Sequence, residues 1–340
     1  MPGAIIQLVD SRYGGGIETH ILQLSVALKQ QGYSVQVALM RDYGPHPLKK
    51  QLDCAGIPWW IAPRNIFDCM SKFQRTAALI NTHGYKAGII GRLFARIAGI
   101  PVVSTYHSGD QGRGRVRVYH WLDQLTSHLA PAMAVSDQIA EQLPTKPHRI
   151  QNFVAPQPDH LNHTGQSIAF VGRLAHEKGP DLFCQAIEAA HLRSGIVYGD
   201  GPLKSILRQR YGNPIRFCGF VENMAPYWPS IGLLCISSRA EGLPLVALEA
   251  MSRGIPVAAF AVGGLPQLIE HNRDGFLVAP GDVQGLTDTL TRWSSMSLEQ
   301  RQKLSNAARQ KIEKDYSCRA ALPGILSVYH QAASTLLKAV

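Results

Sequence analysis

The chain has 340 residues, 45% of them hydrophobic, and its 34 Lys and Arg outnumber 24 Asp and Glu for a formal net charge of +10. That length suits about two domains with sizeable cores, and no apolar run approaches the ~20 residues of a membrane-spanning helix. Six scattered cysteines without a Cys-x-x-Cys pair suit reduced thiols in a cytoplasmic chain rather than a disulfide frame or zinc site.

The first predicted strand, Ala4–Val9, starts without the basic segment and apolar block of a signal peptide. It leads into Tyr13-Gly-Gly-Gly-Ile-Glu-Thr-His20, ahead of a helix over Thr19–Gln30. Glycines at a strand-to-helix turn let backbone approach a ligand without Cβ interference, which makes Gly15 and Gly16 candidate contacts. Short apolar runs at Ser34–Met40, Ile57–Ile61, Leu79–Thr82, Pro101–Thr105 and Ala132–Val135 read as buried parallel strands. Helical stretches such as Ile17–Gln31 and Lys86–Ala98 separate several of them, and the alternation predicts an α/β fold with a doubly wound sheet.

His107 follows the strand Pro101–Thr105, at the end where open α/β sheets take their ligands, and is the first catalytic candidate of this half. His83 ends another strand and ranks second, while His20 belongs to the first helix. Basic residues gather in this half. Lys86, Arg92 and Arg96 alternate with apolar blocks, and Arg113, Arg115 and Arg117 stand beside Tyr119 and Trp121. Such a mixture suits anionic lipid headgroups. The other reading of the stretch from Lys86 is a helix packed on its domain with the arginines solvated. A basic balance can also serve nucleic acid or an anionic substrate, but no nucleic-acid motif is present, so no such partner is expected.

The Pro-rich polar stretch Ala155–Gly165 reads as an interdomain linker, and His160-x-x-His163 within it is not taken as a metal site. A second alternation follows at Ser167–Val171, Gly195–Tyr198, Ile215–Cys218, Leu233–Ile236, Pro256–Ala261 and Gly275–Val278, then a helical tail from about Tyr316. The strand Ser167–Val171 delivers Gly172, Arg173 and Lys178 to its C-terminal end. One planar fork and one point charge, five residues apart, suit a diphosphate. Downstream, Glu241-Gly-Leu-Pro-Leu-Val-Ala-Leu-Glu249 sets two carboxylates eight residues apart around a helix start. Pro244 suits the first helical position, and the backbone N–H groups there form an anion site. Phosphates on those N–H groups and hydroxyls on the glutamates suit a nucleotide-sugar. No Asp-x-Asp is present to hold a diphosphate-bound divalent ion, so no metal or other cofactor is expected.

In this order, Gly14-Gly-Gly-Ile-Glu-Thr19, Gly172-Arg-Leu-Ala-His-Glu-Lys-Gly179, Val197-Tyr-Gly-Asp-Gly-Pro202, Phe217-Cys-Gly-Phe220 and Glu241-x7-Glu249 resemble the retaining glycosyltransferases of family 4, through almost the whole chain. The resemblance implies a GT-B fold, two Rossmann-like domains facing a central cleft that takes the donor. Its domains would be 1–155 on the acceptor side and 156–315 for the nucleotide-sugar, with 316–340 crossing back onto the first. It implies a donor site of Gly15, Gly16, Gly172, Arg173, Lys178, Gly199, Glu241, Gly242, Leu243, Pro244 and Glu249. In it Glu241 faces the sugar, Glu249 holds the ribose, and His107 supports the reacting centre. The expected partners are a nucleotide-sugar, a UDP-sugar by preference, a glycan or lipid-linked acceptor of envelope synthesis, and an anionic membrane surface at the first domain. The expected location is cytoplasmic, peripheral on the inner face of the plasma membrane. A soluble small-molecule acceptor, or a non-catalytic nucleotide-sugar-binding subunit, is the alternative.

Overall fold

The computed structural model describes residues 3–12, 14–107, 115–135, 137–150, 152–155 and 165–333, with backbone only at 115, 116, 137 and 138. It divides into two compact units, one of Met1–Ala155 with Cys318–Val340, the other of Pro156–Ser317.

In the first unit seven strands form one sheet: β1 (Ala4–Val9), β2 (Val35–Leu39), β3 (Trp59–Ile61), β4 (Ala77–His83), β5 (Val102–Tyr106), β6 (Ala132–Ala134) and β7 (His148–Arg149). Their order is β3-β2-β1-β4-β5-β6-β7 and every pairing is parallel. All six residues of β1 are buried, because helices cover both faces and the strand has no wet side. Its side chains alternate. Ile5 and Val9 join the core that holds Leu24 and Leu28 of the first helix (Gly16–Gln30) and Leu322, Ile325, Val328 and Tyr329 of the last (Cys318–Ala332). Ala4, Ile6 and Leu8 face the other layer with Phe73, Ala87 and Ala95. The last helix is thus part of the first unit's core.

The second unit carries β8 (Ser167–Val171), β9 (Gly195–Tyr198), β10 (Ile215–Gly219), β11 (Ile231–Ile236), β12 (Val257–Phe260) and β13 (Gly275–Val278). They lie in the order β10-β9-β8-β11-β12-β13, all parallel. Phe170, Phe183, Ile187, Leu233, Phe260 and Trp293 fill its core.

Both units are doubly wound parallel sheets, as the alternation predicts, with local differences. The third strand begins at Trp59 rather than Ile57, since Pro58 offers the ladder only its carbonyl, to Val37 N–H at 3.0 Å. The first helix starts at Gly16, three residues ahead of Thr19. The two-residue strand β7, exposed at both positions, lacks the apolar signal that marks the others.

Candidate functional site

The strand order of the second unit reverses between β8 and β11, and such a reversal opens a crevice at the carboxyl ends of the two strands. The loop leaving β8 carries Gly172, Arg173 and Lys178, and the loop leaving β11 carries Glu241, Gly242 and Leu243. Lys178 Nζ donates to both oxygens of Glu241, at 2.7 and 2.8 Å, with the two side chains 35% and 7% exposed. Ser238 Oγ donates to Glu241 Oε1 at 2.7 Å. Arg173 is exposed. The two loops touch through backbone. Gly179 has φ +63°, a Cβ there would collide with the Ser237 carbonyl, and Ser237 Oγ donates to the Gly179 carbonyl at 2.7 Å. Glycine is required at that point. It is required equally at Gly199, just past β9, where a Cβ would strike the Gly172 carbonyl.

Arg239 braces the same corner. Its guanidinium forks onto Asp181 at 2.9 and 2.6 Å and reaches the His176 carbonyl at 2.8 Å. That hydrogen-bonded cation holds the Asp181 carboxyl below the usual carboxylate range. Gly264 N–H donates to the Gly242 carbonyl at 2.7 Å and fixes the second loop from the other side. At Gly242 itself a Cβ would meet nothing within 4 Å.

The helix after this loop spans Leu245–Ser252, and Pro244, with ψ 123°, is its N-cap rather than its first residue. The expected anion site therefore begins one residue later, at Leu245, where the first helical N–H groups have no i−4 carbonyl to meet. Glu249 lies one turn in. Burial pushes its carboxyl up, against the opposing charge of Arg253. Arg253 Nη1 donates to the Glu249 carbonyl at 2.7 Å, and the guanidinium lies 5.4 Å from the centre of the Trp228 ring.

In the first unit the order reverses between β1 and β4. Gly15 and Gly16 follow β1, His83 ends β4, and His107 follows β5. The register pairs Val9 with His83 and His83 with Thr105, so the three sites leave adjacent strands. Gly15 caps the first helix in extended backbone (φ −171°), where a Cβ would meet only Glu18 Oε2, at 3.3 Å. His83 Nδ1 and His107 Nε2 lie 2.9 Å apart, their rings stacked at 5.2 Å. His20, within the first helix, sets its ring edge-on to His107 at 4.7 Å and packs on Phe153 at 5.3 Å.

Burial drives the His20 pKa down to about 4, with Asn152 opposing. Burial followed by the neighbouring imidazoles carries His83 and His107 well below the ordinary histidine range. All three are neutral at pH 7. One nitrogen from each lies within 4.8 Å of the others, the one such His/Cys/Asp/Glu group among the described residues that could hold an ion. Two of those rings are already joined by the His83–His107 hydrogen bond.

The basic helix differs from expectation. Arg92 is fully buried, paired with Asp123 at 2.6 Å and bonded to Ser104, Tyr106 and Thr126. It is neither a lipid contact nor a solvated arginine, because Tyr85–Ala98 turns that face onto its own domain. Lys86 pairs with Asp10 at 3.1 Å. Arg96 and Arg117 are exposed. Tyr13, Arg113, His160, His163 and the Arg115 side chain lie outside the described residues.

Other residues at or behind these strand ends escaped sequence reasoning: Ser237, Ser238 and Arg239 in the second unit, and Gln7 within β1, Asn81 within β4 and Tyr329 of the last helix in the first. Gln7 and Asn81 had a visible signal, since each is an amide inside an otherwise apolar strand. Tyr329 had none, because its partners Gln7 and Asn81 lie far along the chain. Ser238 had none, because its three-residue spacing from Glu241 does not reveal that the loop turns the hydroxyl onto that carboxylate.

The glycosyltransferase family 4 profile matches residues 14–157, and the glycosyl transferases group 1 profile matches residues 165–295. This chain belongs to glycosyltransferase family 4. Among curated relatives, the sulfoquinovosyl transferase SQD2 of Arabidopsis thaliana is 33% identical over 174 residues, 49% of this chain and 33% of that protein. The Escherichia coli UDP-Gal:alpha-D-GlcNAc-diphosphoundecaprenol alpha-1,3-galactosyltransferase is 26% identical over 255 residues, 63% of this chain and 65% of its own length. The matched part thus spans less than two thirds of either relative. The solved structure of Anabaena HepE in complex with UDP superposes with a TM-score of 0.80 at 19% identity, over 96% of this chain and all of that one. The fold is GT-B.

Proposed function

We propose that this chain is a retaining glycosyltransferase that moves a hexose-type sugar from a nucleotide-diphosphate sugar, a UDP-sugar by preference, to a glycan or lipid-linked acceptor of cell-envelope polysaccharide or lipopolysaccharide synthesis. The observation that carries it is the Lys178–Glu241 contact at the reversal of the second sheet. Arg173 leaves the same strand end, and the helix Leu245–Ser252 starts three residues beyond Gly242. A cation, a carboxylate and a helix start gathered there suit the diphosphate and hydroxyls of one ligand. The UDP in the HepE structure and the diphospholipid acceptor in the name of the E. coli relative support the same reading.

In the transfer, the bond from the anomeric carbon to the diphosphate oxygen breaks and its electron pair stays on the phosphate. The acceptor hydroxyl bonds the same face of that carbon, and its proton goes to the departing phosphate. Arg173, Lys178 and the helix N–H groups stabilise the negative charge that grows there, as fixed dipoles and cations do best. Glu241 binds sugar hydroxyls once the diphosphate competes for Lys178, Glu249 holds the ribose, and Gly172, Gly199 and Leu243 line the path of the donor. Gly15, Gly16 and His107 serve the sugar and the reacting centre. No metal is assigned to the reaction, since side chains supply the charge a divalent ion would otherwise bring.

The acceptor reading rests on where the charge lies. The first unit holds 18 Lys and Arg against 9 Asp and Glu, the second 16 against 15. Neighbouring helices of the first unit also expose Ile90, Leu93 and Ile97 (Tyr85–Ala98) and Val118, Trp121 and Leu125 (Arg115–Leu125), with Arg96 and Arg117 beside them. Apolar side chains rimmed by arginine suit a peripheral contact with anionic lipid on the inner face of the plasma membrane. No helix among the described residues is long and apolar enough to cross a membrane.

Incubation with a panel of UDP-, GDP- and ADP-sugars, with released nucleotide as the readout, tests the reading. Slow hydrolysis of one donor, kept under saturating EDTA, is the expected result. Thermal stabilisation by a nucleotide without turnover of any sugar would make the chain a binding subunit. Loss in EDTA restored by manganese would end the metal-free assignment.

A further inference from the structure

A buried chain of polar side chains ends on His107. Gln7 Oε1 accepts from Asn81 Nδ2 at 2.9 Å, and Asn81 Nδ2 also donates to the Tyr329 hydroxyl at 2.8 Å. Both amide hydrogens of Asn81 are then in use. His83 Nε2 lies 2.8 Å from Gln7 Oε1 and 3.1 Å from Asn81 Nδ2. With no third hydrogen on Asn81 to offer, the short contact is a donation from His83 Nε2–H to Gln7. A neutral imidazole that donates at Nε2 accepts at Nδ1. His83 Nδ1 therefore accepts from His107 Nε2–H across their 2.9 Å contact, and His107 Nδ1 keeps a bare lone pair. Thr105 Oγ1, which donates to Asn81 Oδ1 at 2.9 Å, anchors the other end of that amide.

We infer that Gln7, Asn81, His83 and Tyr329 are positioning residues that hold His107 in its Nε2–H form, so that it meets a substrate hydroxyl as an acceptor through Nδ1. The inference deepens the role proposed for His107 and rests on that reading for its catalytic consequence alone. The hydrogen-bond direction stands without it. His20 packs edge-on against the His107 ring, and Phe153 packs in turn on His20. The last helix enters the same network through the Tyr329 hydroxyl, although nothing near Tyr329 in sequence signals a role at this site.

Long-range nitrogen–proton NMR of the histidine rings in the ligand-free protein at pH 7 reads the tautomer directly. The expected pattern is a protonated Nε2 and a bare Nδ1 at both His83 and His107. Protonation of either ring at Nδ1, or at both nitrogens, overturns the inference whether or not the protein transfers sugar. A correct tautomer in a protein that turns over no donor would leave the inference standing and remove the proposed function. Tyr329→Phe keeps the ring packing and deletes one hydroxyl. It should mix the His107 tautomers and lower kcat by about tenfold, the loss of a single hydrogen bond, with donor KM unchanged. Gln7→Met should do the same. Unmixed His107 signals in a folded Gln7→Met protein would also overturn the relay.

Discussion

At Lys178 the ammonium sits against both oxygens of Glu241, whereas Arg173 is exposed. Lys178→Ala therefore removes a diphosphate contact and strands a largely buried carboxylate, while Arg173→Ala removes only the contact. Each should cost kcat/KM about 1.5–3 kcal/mol, as the loss of one charge-assisted hydrogen bond does, or roughly 10- to 150-fold. Lys178→Ala alone should also lower Tm. Steady-state kinetics on both folded variants checks this, and wild-type turnover in either would remove its diphosphate assignment. The histidine cluster makes a second prediction. His20 has a folded pKa of about 4 against an ordinary 6.5, so the unfolded chain binds more protons between those values. Its contribution is full above pH 6.5 and is lost as pH falls towards 4, worth roughly 3 kcal/mol. Urea midpoints at pH 7 and pH 5 should differ, and a His20→Leu variant should flatten that slope. An unchanged slope in the variant would place the acid sensitivity elsewhere.

Among the elements, strands were legible where they were mostly apolar with a Gly at one end, as in β1 after Gly3, β4 before Gly84 and β8 before Gly172. The loop ends that carry Arg173, Lys178, Glu241 and His107 could be placed because the strands before them were plain. What could not be read was which side chains the fold brings together. Arg92 falls in a run that scans as a basic amphipathic helix, and only the arrival of Asp123 from the next helix explains its burial. Ser238 is two residues past β11 and three before Glu241, and the spacing alone does not show that the loop folds its hydroxyl onto that carboxylate. The buried pair is itself testable. Asp123→Ala leaves Arg92 desolvated without a partner and should destabilise the first unit by about 3–5 kcal/mol, with a smaller loss when Arg92 is replaced by Met in the same protein. Equal urea midpoints for wild type and Asp123→Ala would show the pair to be inert. At the other sheet, Gly179→Ala forces a Cβ into the Ser237 carbonyl at positive φ and should cost the second unit at least ~1 kcal/mol, with donor binding impaired alongside.

Across the whole molecule the net charge is uneven, since nearly all of the +10 belongs to the first unit. Each arginine near an anionic bilayer contributes about 1 kcal/mol, and salt screens it. Replacing both Arg96 and Arg117 with Ser should therefore weaken co-sedimentation with phosphatidylserine vesicles roughly 30-fold at low salt. Donor hydrolysis should stay near wild type. Binding indifferent to salt, or an equal fall in hydrolysis, would count against a lipid-facing role for these helices.

The last helix belongs to the core of the first unit, and that has a bearing on biosynthesis. Residues up to Ala155 leave the ribosome without Leu322, Ile325, Val328 and Tyr329, so their apolar layer and the Asn81 amide emerge without their partners. The second unit is continuous in sequence and can complete itself in the meantime. At translation speeds of ~5–20 residues per second the interval is on the order of ten to thirty seconds. During that time the opening half of the polypeptide is the part most in need of a chaperone, and a nascent chain arrested just before Cys318 should be proteolysed there first.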